Sequence, residues 1–181
     1  DDLDADVFGV TPLPVNVING TEGDDLFIFN HTTDEINGLG GNDAIFAANG
    51  DDTVNGGDGN DQILGELGDD LLTGGAGADI FIHSPGRGAD IITDFNPAEG
   101  DRISLAEHHI TDFSQIQPLM SQVGADTVID LGNGDTITLQ NVALGSLNGT
   151  HFFYDAIRTP VTGTAGDDTI AGTADGDDID G

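Results

Sequence analysis

A nine-residue repeat constrains the fold of this chain more than any other feature of its sequence. Residues 20–82 divide into seven consecutive units of nine residues without insertion. The sixth position of a unit is Asp in all seven units, the eighth is apolar in all seven, and the fourth is Gly in six, with Thr32 as the exception. The sixth-position residues are Asp25, Asp34, Asp43, Asp52, Asp61, Asp70 and Asp79, and the eighth-position residues are Phe27, Ile36, Ile45, Val54, Ile63, Leu72 and Phe81. A fixed phase over so many units indicates a repeat architecture.

Each unit combines a glycine-rich turn with a short strand. Gly allows the backbone to adopt positive φ and to direct its carbonyl groups to one side, which a residue with a Cβ would resist. The last three positions, as in Gln62–Leu64, form a strand whose middle residue points to one face. We therefore predict an all-β fold, in which two units close one coil of a flattened, right-handed parallel β-roll.

The charge of the chain indicates its ligands. It carries 34 acidic residues against three Arg and no Lys, which gives a formal net charge of −31. Nucleic acid and anionic lipid would be repelled, and low hydrophobicity with high net charge is typical of disordered chains. Cations are therefore the expected ligands, and folding is expected to depend on them. The absence of Cys excludes disulfides and thiolate zinc sites, and no apolar run approaches the ~18 residues of a membrane span.

Two of the units carry a family resemblance. Residues 56–64 read Gly-Gly-Asp-Gly-Asn-Asp-Gln-Ile-Leu, and residues 74–82 read Gly-Gly-Ala-Gly-Ala-Asp-Ile-Phe-Ile. This pattern resembles the calcium-binding nonapeptide of RTX (repeats-in-toxin) proteins. That family comprises proteins exported by bacterial type I secretion, among them toxins, serralysin-type proteases, lipases, mannuronan epimerases and adhesins. The resemblance implies Ca²⁺ as the cofactor and an extracellular or cell-surface location.

The repeat phase places the Asp residues on two edges of the predicted roll. Because consecutive strands alternate between two sheets, every second unit places its turn on the same edge. We expect one Ca²⁺ between neighbouring turns at five carboxylate pairs: Asp25/Asp43, Asp43/Asp61, Asp61/Asp79, Asp34/Asp52 and Asp52/Asp70. The turn residues that accompany them as candidate ligands are Gly38, Gly40, Asn42, Gly56, Asp58, Asn60, Gly74 and Ala76. A turn that converges carbonyls beside a carboxylate offers the oxygens that Ca²⁺ prefers.

Some parts of the repeat depart from the pattern. The second unit has no Gly in its turn, so Asp34/Asp52 is the weakest of the predicted pairs. After residue 82 the register breaks, and Asp90 arrives two residues later than the repeat requires. An insertion in that turn would still let Asp90 complete a site with Asp70. Residues 90–105 resemble the segment that closes RTX blocks, which makes Asp94 and Asp101 second-rank ligand candidates.

The remaining sequence suggests four regions. We expect an N-terminal linker or cap strand (1–19), the RTX β-roll (20–95), a β-rich flank that caps the roll (96–158), and a linker with the start of a second RTX block (159–181). Within the flank the sequence predicts a short helix in 106–122, a hairpin formed by 127–131 and 136–139, and a last strand at 151–154. The tail units 163–171 and 172–180 follow the nonapeptide phase.

No catalytic constellation stands out in the sequence. There is no HExxH or GxSxG motif, and the adjacent pair His108 and His109 is expected to be solvent-exposed on a strand, with no metal spacing around His83. We therefore predict a non-catalytic module whose calcium-coupled folding stabilises a larger secreted protein and aids its export. Its expected partners are calcium ions and neighbouring domains. The alternative is a polysaccharide-binding (alginate) or adhesive accessory module, similar to the R-modules of mannuronan C5-epimerases.

Overall fold

Short strands in two sheets make up most of the described structure. The computed structural model describes residues 16–28 and 33–154. One sheet of eight strands contains β1 (Asn16–Asn19), β3 (Asp34–Gly40), β5 (Thr53–Asp58), β7 (Leu71–Ala76), β9 (Ala89–Ile92), β11 (Met120–Val123), β12 (Asp126–Gly132) and β13 (Asp135–Leu139). The other sheet, of six strands, contains β2 (Leu26–Ile28), β4 (Ala44–Phe46), β6 (Gln62–Leu64), β8 (Ile80–Ile82), β10 (Arg102–Ser104) and β14 (Phe152–Phe153).

Successive strands of the repeat alternate between the two sheets. The eight-stranded sheet has the order β1-β3-β5-β7-β9-β13-β12-β11, and the six-stranded sheet has the order β14-β10-β8-β6-β4-β2. Neighbouring repeat strands pair in parallel, and each residue lies beside the residue at the same position two units later, as Phe27 with Ile45 and Ile45 with Ile63 show. Two units therefore form one coil, and the predicted all-β parallel roll is confirmed.

The eighth position of every unit lies in the core between the sheets. These seven side chains are between 0 and 8% exposed. Ile63 stacks between Ile45 and Phe81 in one sheet, and Val54 stacks between Ile36 and Leu72 in the other. Burying each such side chain contributes about 1.5–3 kcal/mol, so two apolar columns run through the roll.

Close stacking of the coils explains the Gly at the fourth position. Gly59 has a φ of 142°, and a Cβ built on it would lie 1.7 Å from the carbonyl oxygen of Gly41 in the preceding coil. The same contact would be 1.8 Å from Gly77 to the carbonyl oxygen of Gly59. Any side chain at these positions would push the coils apart.

Insertions after the seventh unit are absorbed in turns rather than in strands. Strand β9 pairs with β7 through Leu71 and Ile91, whose spacing in the sequence exceeds two units of the repeat. Strand β10 pairs with β8 through Ile80 and Arg102, which are separated by a still longer stretch. The stacking of the roll therefore continues beyond the regular repeat and brings Asp90 and Asp101 into line with the preceding Asp residues.

The flank extends both sheets. The predicted hairpin is present as β12 and β13, and β13 pairs in parallel with β9. The helix predicted in 106–122 is largely wrong: the segment contains 3-10 turns at Ala106–His108 and Gln117–Leu119, a single α-helical turn α1 (Phe113–Ile116), and then β11. Pro118 lies in the second 3-10 turn, which suits a residue that cannot donate a backbone hydrogen bond.

Several sequence predictions fall outside the described residues. They are the linker in 1–15, the turn of the second unit in 29–32, and the tail units in 163–180. The four region boundaries stay predictions. Within the described ranges, no helix has the length and apolar character needed to cross a membrane.

Candidate metal centre

The sixth-position Asp residues form two hydrogen-bonded ladders, one along each edge of the roll. On both edges the backbone N–H of one Asp donates to Oδ1 of the Asp in the next coil. On the first edge the distances are 2.8 Å for Asp25 to Asp43, 2.8 Å for Asp43 to Asp61, 2.9 Å for Asp61 to Asp79, and 3.0 Å for Asp79 to Asp101. On the second edge they are 2.6 Å for Asp34 to Asp52, 2.8 Å for Asp52 to Asp70, and 3.2 Å for Asp70 to Asp90. The structure thus brings together the residues of all five predicted pairs and of the expected Asp70/Asp90 pair, and it adds Asp79/Asp101.

The second oxygen of most ladder carboxylates has no hydrogen-bond partner, although it is buried. These atoms are the Oδ2 atoms of Asp34, Asp43, Asp52, Asp61, Asp70 and Asp79. Buried polar atoms nearly always have a partner, and a buried charged oxygen without one is strongly unfavourable. The ladders therefore present two rows of oxygens that require a proton or a cation.

The first-position glycines let these oxygens approach the backbone closely. A Cβ built on Gly38 would lie 2.3 Å from Oδ2 of Asp43 and 2.2 Å from the carbonyl oxygen of Gly56 in the next coil. A Cβ on Gly56 would lie 2.2 Å from Oδ2 of Asp61 and 2.6 Å from the carbonyl oxygen of Gly74. A carboxylate oxygen and a carbonyl oxygen of the next coil thus converge beside the glycine, and this combination of oxygen donors is one that Ca²⁺ prefers. The residues present therefore fit a calcium ion.

The second edge differs from the first edge in one of its first-position residues. A Cβ built on Gly65 would lie 2.0 Å from Oδ2 of Asp70, so this position repeats the pattern of the first edge. In the preceding coil on this edge the first position is Ala47, whose side chain is completely buried. A methyl group therefore takes the position that Oδ2 of Asp70 approaches closely at Gly65. The first positions of the second edge are thus not uniform.

The other candidate turn residues have mixed roles. The carbonyl oxygens of Asp58 and Ala76 accept from Gly41 and Gly59 at 2.9 and 2.8 Å, so they already hold neighbouring coils together. The side chains of Asn42 and Asn60 belong to a separate outer ladder of fifth-position residues, in which the N–H of Asn60 donates to Oδ1 of Asn42 at 2.9 Å. Gly40 lies at the end of β3, where its N–H donates to the carbonyl oxygen of Thr21 at 3.2 Å.

The two second-rank candidates lie at the end of the first ladder. Asp94 accepts the N–H groups of Gly74 and Gly75 at 3.0 and 2.9 Å. Asp101 accepts from Asp79 through Oδ1 and from Asn96 through Oδ2, the latter at 2.8 Å. Unlike most ladder Asp residues before them, both carboxylates have hydrogen-bond partners on both oxygens. We infer that Asp94 and Asp101 form the end of the first ladder, and a direct role of these residues in ion binding stays a prediction.

Burial raises the pKa of the ladder carboxyl groups. It raises the pKa of Asp52, Asp79 and Asp90 to about 7 and that of Asp70 to about 6. Loss of hydration is the largest cause in each case, repulsion from neighbouring carboxylates adds to it, and the accepted backbone N–H opposes it. Without a cation, the folded roll therefore retains protons that an unfolded chain releases.

These raised pKa values predict how folding depends on pH with and without calcium. In calcium-free solution the contribution of these groups to stability is present below the pKa of an unfolded Asp, about 3.9, and is lost as the pH rises through about 7. Acidification from about pH 7 to about pH 5 should therefore increase the β signal in circular dichroism of the calcium-free protein. In calcium the same change should lower the Ca²⁺ midpoint of folding, because protonated carboxyl groups already favour the folded roll and less Ca²⁺ is then needed. A Ca²⁺ midpoint that does not change with pH would contradict this assignment.

His108 differs from the sequence prediction, whereas His109 is exposed as expected. His108 lies in the 3-10 turn Ala106–His108 and not on a strand, and it is half-buried. Its Nε2 lies 3.1 Å from Nδ1 of His83, whose side chain is only 4% exposed. Burial lowers the pKa of His83 below its usual value, the neighbouring His108 adds to this effect, and the backbone of Gly88 opposes it. The repeat register could have revealed His83, because it stands at the first position of the eighth turn.

No ordinary metal-binding cluster of side chains accompanies the ladders. In residues 16–28 and 33–154, no group of three or more His, Cys, Asp or Glu side chains has the arrangement of a metal site. Ca²⁺ also takes backbone carbonyl oxygens, which are not part of such groups of side chains.

The two ladders define a class of protein: a parallel β-roll whose glycine-rich turns carry carboxylates at a fixed register. The family model of the RTX calcium-binding nonapeptide repeat matches residues 32–63, 55–92 and 161–181. Residues 32–92 and 161–181 thus match a repeat of a calcium-binding, non-catalytic type. The first two matches cover ladder residues from Asp34 to Asp90.

The solved structures that are similar to the chain include a lipase and two epimerase subunits. The extracellular lipase LipA from Serratia marcescens is 24% identical with a TM-score of 0.43, and the match covers 74% of this chain and 20% of the lipase. The chain therefore spans about a fifth of that protein. The AlgE6R2 and AlgE6R3 subunits of the Azotobacter vinelandii mannuronan C5-epimerase are 23% and 22% identical, with TM-scores of 0.44 and 0.31. These matches cover 80% and 88% of this chain and 95% and 94% of the subunits. No curated protein sequence matches the chain significantly.

Proposed function

We propose that the roll is a calcium-coupled folding module of a larger extracellular bacterial protein. The observation that carries this proposal is the row of buried, unpartnered Oδ2 atoms on each edge of the roll. On the first edge, Oδ2 of Asp43 and of Asp61 each border a first-position glycine, together with a carbonyl oxygen of the next coil. Ca²⁺ is a hard cation that prefers such oxygen ligands.

The ligands that we assign follow the ladders. On the first edge, Oδ2 of Asp43 and the carbonyl of Gly56 would contribute to one ion, and Oδ2 of Asp61 and the carbonyl of Gly74 to the next. Asp25 is less available, because its Oδ2 accepts the N–H of Thr21 at 2.6 Å. When bound, calcium supplies positive charge between carboxylates that otherwise repel each other. On the second edge the corresponding carboxylates are Asp34, Asp52, Asp70 and Asp90.

The repulsion between ladder carboxylates makes folding conditional on the ion. Neighbouring strands of a sheet lie about 4.7–4.9 Å apart. Two like charges at roughly 5 Å repel by about 3 kcal/mol at an effective dielectric constant near 20. The repulsion energy summed over several such pairs is as large as the ~5–15 kcal/mol net stability of a typical domain. Repulsion between the carboxylates of both ladders thus destabilises the folded roll until a cation is bound.

Folding that depends on calcium suits a protein that is exported from the cell. Calcium sites of extracellular modules bind in the ~10⁻⁴–10⁻³ M range, far above the free calcium of a cytoplasm. A chain with a net charge of −31 would remain expanded where calcium is scarce and fold after it leaves the cell. The module would then stabilise the domains to which it is joined.

Limited proteolysis with endoproteinase Glu-C tests this proposal. Glu35 and Glu66 lie within the roll, one on β3 and one in the sixth turn. Cleavage after these residues should be fast in a calcium chelator and at least ~100-fold slower in millimolar calcium, because the folded backbone is withdrawn from the protease. Millimolar magnesium is the control, since Mg²⁺ demands a small octahedral site. Equal cleavage in chelator and in calcium would refute calcium-coupled folding.

The polysaccharide-binding alternative stays a prediction. Of the arginines, Arg87 forms an ion pair with Glu66 at 2.8 Å, and Arg102 lies over the ring of Phe153 at 4.9 Å. These contacts engage basic groups that an acidic polysaccharide such as alginate would need. No specific observation in the described residues therefore favours alginate over calcium as the ligand.

A further inference from the structure

The last turn of the second edge is longer than the turns before it. This eighth turn, residues 83–90, has two more residues than the repeat requires, and it regains the register of the repeat only near its end. A Cβ built on Gly88 would lie 2.0 Å from the carbonyl oxygen of Gly68, so Gly88 takes the fourth position. The N–H of Ala89 then donates to Oδ1 of Asp69 at 2.8 Å. The extra residues therefore lie before Gly88, where stacking on the preceding coil does not determine the backbone.

The fourth-position glycines donate their N–H groups to the coil that follows. In the earlier turns the acceptor is the carbonyl oxygen at the third position of the next coil on the same edge. These pairs are Gly41 to Asp58, Gly50 to Leu67, Gly59 to Ala76 and Gly68 to Arg87, at 2.8–2.9 Å. After the eighth turn the neighbouring strand is β13 of the flank, which pairs with β9. The N–H of Gly88 therefore needs a different acceptor.

Asp135, at the start of β13, provides this acceptor. Its Oδ1 accepts the N–H of Gly88 at 3.2 Å, and its Oδ2 accepts the N–H of Gly86 at 2.6 Å. Both glycines have positive φ, 78° for Gly86 and 124° for Gly88, so the turn uses a backbone conformation that other residues rarely adopt. Asp135 is only 6% exposed, and it lies 47 residues beyond Gly88 in the sequence. One side chain of the flank thus holds two N–H groups of the extended turn.

The same turn carries the last carboxylate of the second ladder. The N–H of Asp70 donates to Oδ1 of Asp90 at 3.2 Å, and Asp90 follows Gly88 after a single intervening residue. The backbone that Asp135 holds therefore leads directly into this ladder carboxylate. Asp135 has hydrogen-bond partners on both oxygens, unlike Asp70, whose Oδ2 is buried without one. Asp135 is therefore placed to shape the site and not to bind the ion itself.

We propose that Asp135 is a positioning residue for the last calcium ion of the second edge, which we assign to Asp70 and Asp90. Its carboxylate takes the place of the carbonyl of a further coil and holds the extended turn in the shape in which Asp90 faces Asp70. The inference rests on the proposed calcium binding, and it adds that the flank determines the occupancy of this one site. Without the Asp135 carboxylate, the other ions should still bind together with folding, and this ion should bind separately.

Equilibrium dialysis of the D135A variant of the full chain, with circular dichroism recorded on the same samples, tests this inference. In the native chain we expect all calcium ions to bind in one cooperative step with folding. In D135A one ion should separate from this step and require a roughly tenfold or higher calcium concentration, because hydrogen bonds to a charged group are lost. D135N retains one acceptor oxygen and the shape of the side chain, so it should separate the same ion by a smaller factor. It keeps the test valid if D135A does not fold.

Two controls in the flank distinguish positioning from general stability. Asp130 is an exposed residue of the same hairpin whose Oδ1 accepts the N–H of Gly132, so D130A should leave the calcium curve nearly unchanged. Ile129 is completely buried in β12, and I129V should shift the whole curve without separating any ion, as a merely structural change would. A native chain that binds no calcium would refute calcium-coupled folding itself. If the native chain binds calcium but D135A and D135N bind all ions in one step, or if I129V also separates one ion, the assignment of Asp135 is wrong.

Discussion

Removal of calcium from the folded protein is expected to abolish most of its β-sheet signal in far-ultraviolet circular dichroism. The physical reason is the repulsion of about 3 kcal/mol at each neighbouring pair of buried carboxylates, together with their buried oxygens that lack a partner. Both effects destabilise the folded roll at each pair of neighbouring Asp residues in the two ladders. The chelated chain should also elute earlier in gel filtration, because its net charge of −31 expands it.

The reversal of this effect distinguishes calcium from general charge screening. Restoring calcium should restore the β signal, whereas sodium chloride at the same ionic strength should restore little of it. Salt screens exposed charges over a Debye length, but it does not supply ligands to buried oxygens. A β signal that survives a strong chelator at neutral pH would show that the ladders fold without an ion.

Substitution of Gly56 by Ala is expected to weaken calcium-coupled folding, because the added methyl group would displace oxygens that we assign to one calcium site. A Cβ at this position would lie 2.2 Å from Oδ2 of Asp61 and 2.6 Å from the carbonyl oxygen of Gly74. Gly56 is not among the residues with positive φ, so the change tests the space beside the carboxylate and not backbone strain. Overpacking of this kind costs about 1–3 kcal/mol, and because about five ions bind together with folding, the calcium midpoint of folding should rise about 1.4- to 3-fold.

Gly145 offers a matched control for this substitution. It also lacks a positive φ, and a Cβ built on it would meet no atom within 4 Å. Gly145→Ala should therefore leave the calcium midpoint unchanged or stabilise the protein by about 0.4–1 kcal/mol through the unfolded chain. If both variants shift the midpoint equally, the space beside Asp61 is not part of an ion site.

The sequence predicts the roll well because its information is local and repeated. Strand and turn are both encoded within one short unit, so the phase of Asp61 and Ile63 in one unit fixes their neighbours in the next. Parallel stacking then brings equivalent positions of every second unit into contact, as observed for Asp43 and Asp61. The insertion before Asp90 does not disturb this rule, because the extra residues lie in the turn and leave the β7 and β9 pairing intact.

Other features depend on three-dimensional contacts that the repeat does not encode. The sequence shows that Asp61 recurs, but not that the carboxylates of its ladder accept a backbone N–H through Oδ1 while Oδ2 remains without a partner. It predicts a ligand role for Asn42 and Asn60, but not the outer ladder that these two residues form. The contact between His83 and His108 crosses the register break, where no periodicity applies.

Equilibrium dialysis against increasing calcium, with bound ions counted by atomic absorption and the β signal recorded on the same samples, tests the central claim most directly. The ladders predict that ions bind cooperatively together with folding, with about one ion for each neighbouring carboxylate pair of the regular repeat. The β signal should thus rise in proportion to bound calcium and be absent from the ion-free chain at neutral pH. A full β signal at zero bound ions, or ions that bind without any change in that signal, would contradict the account.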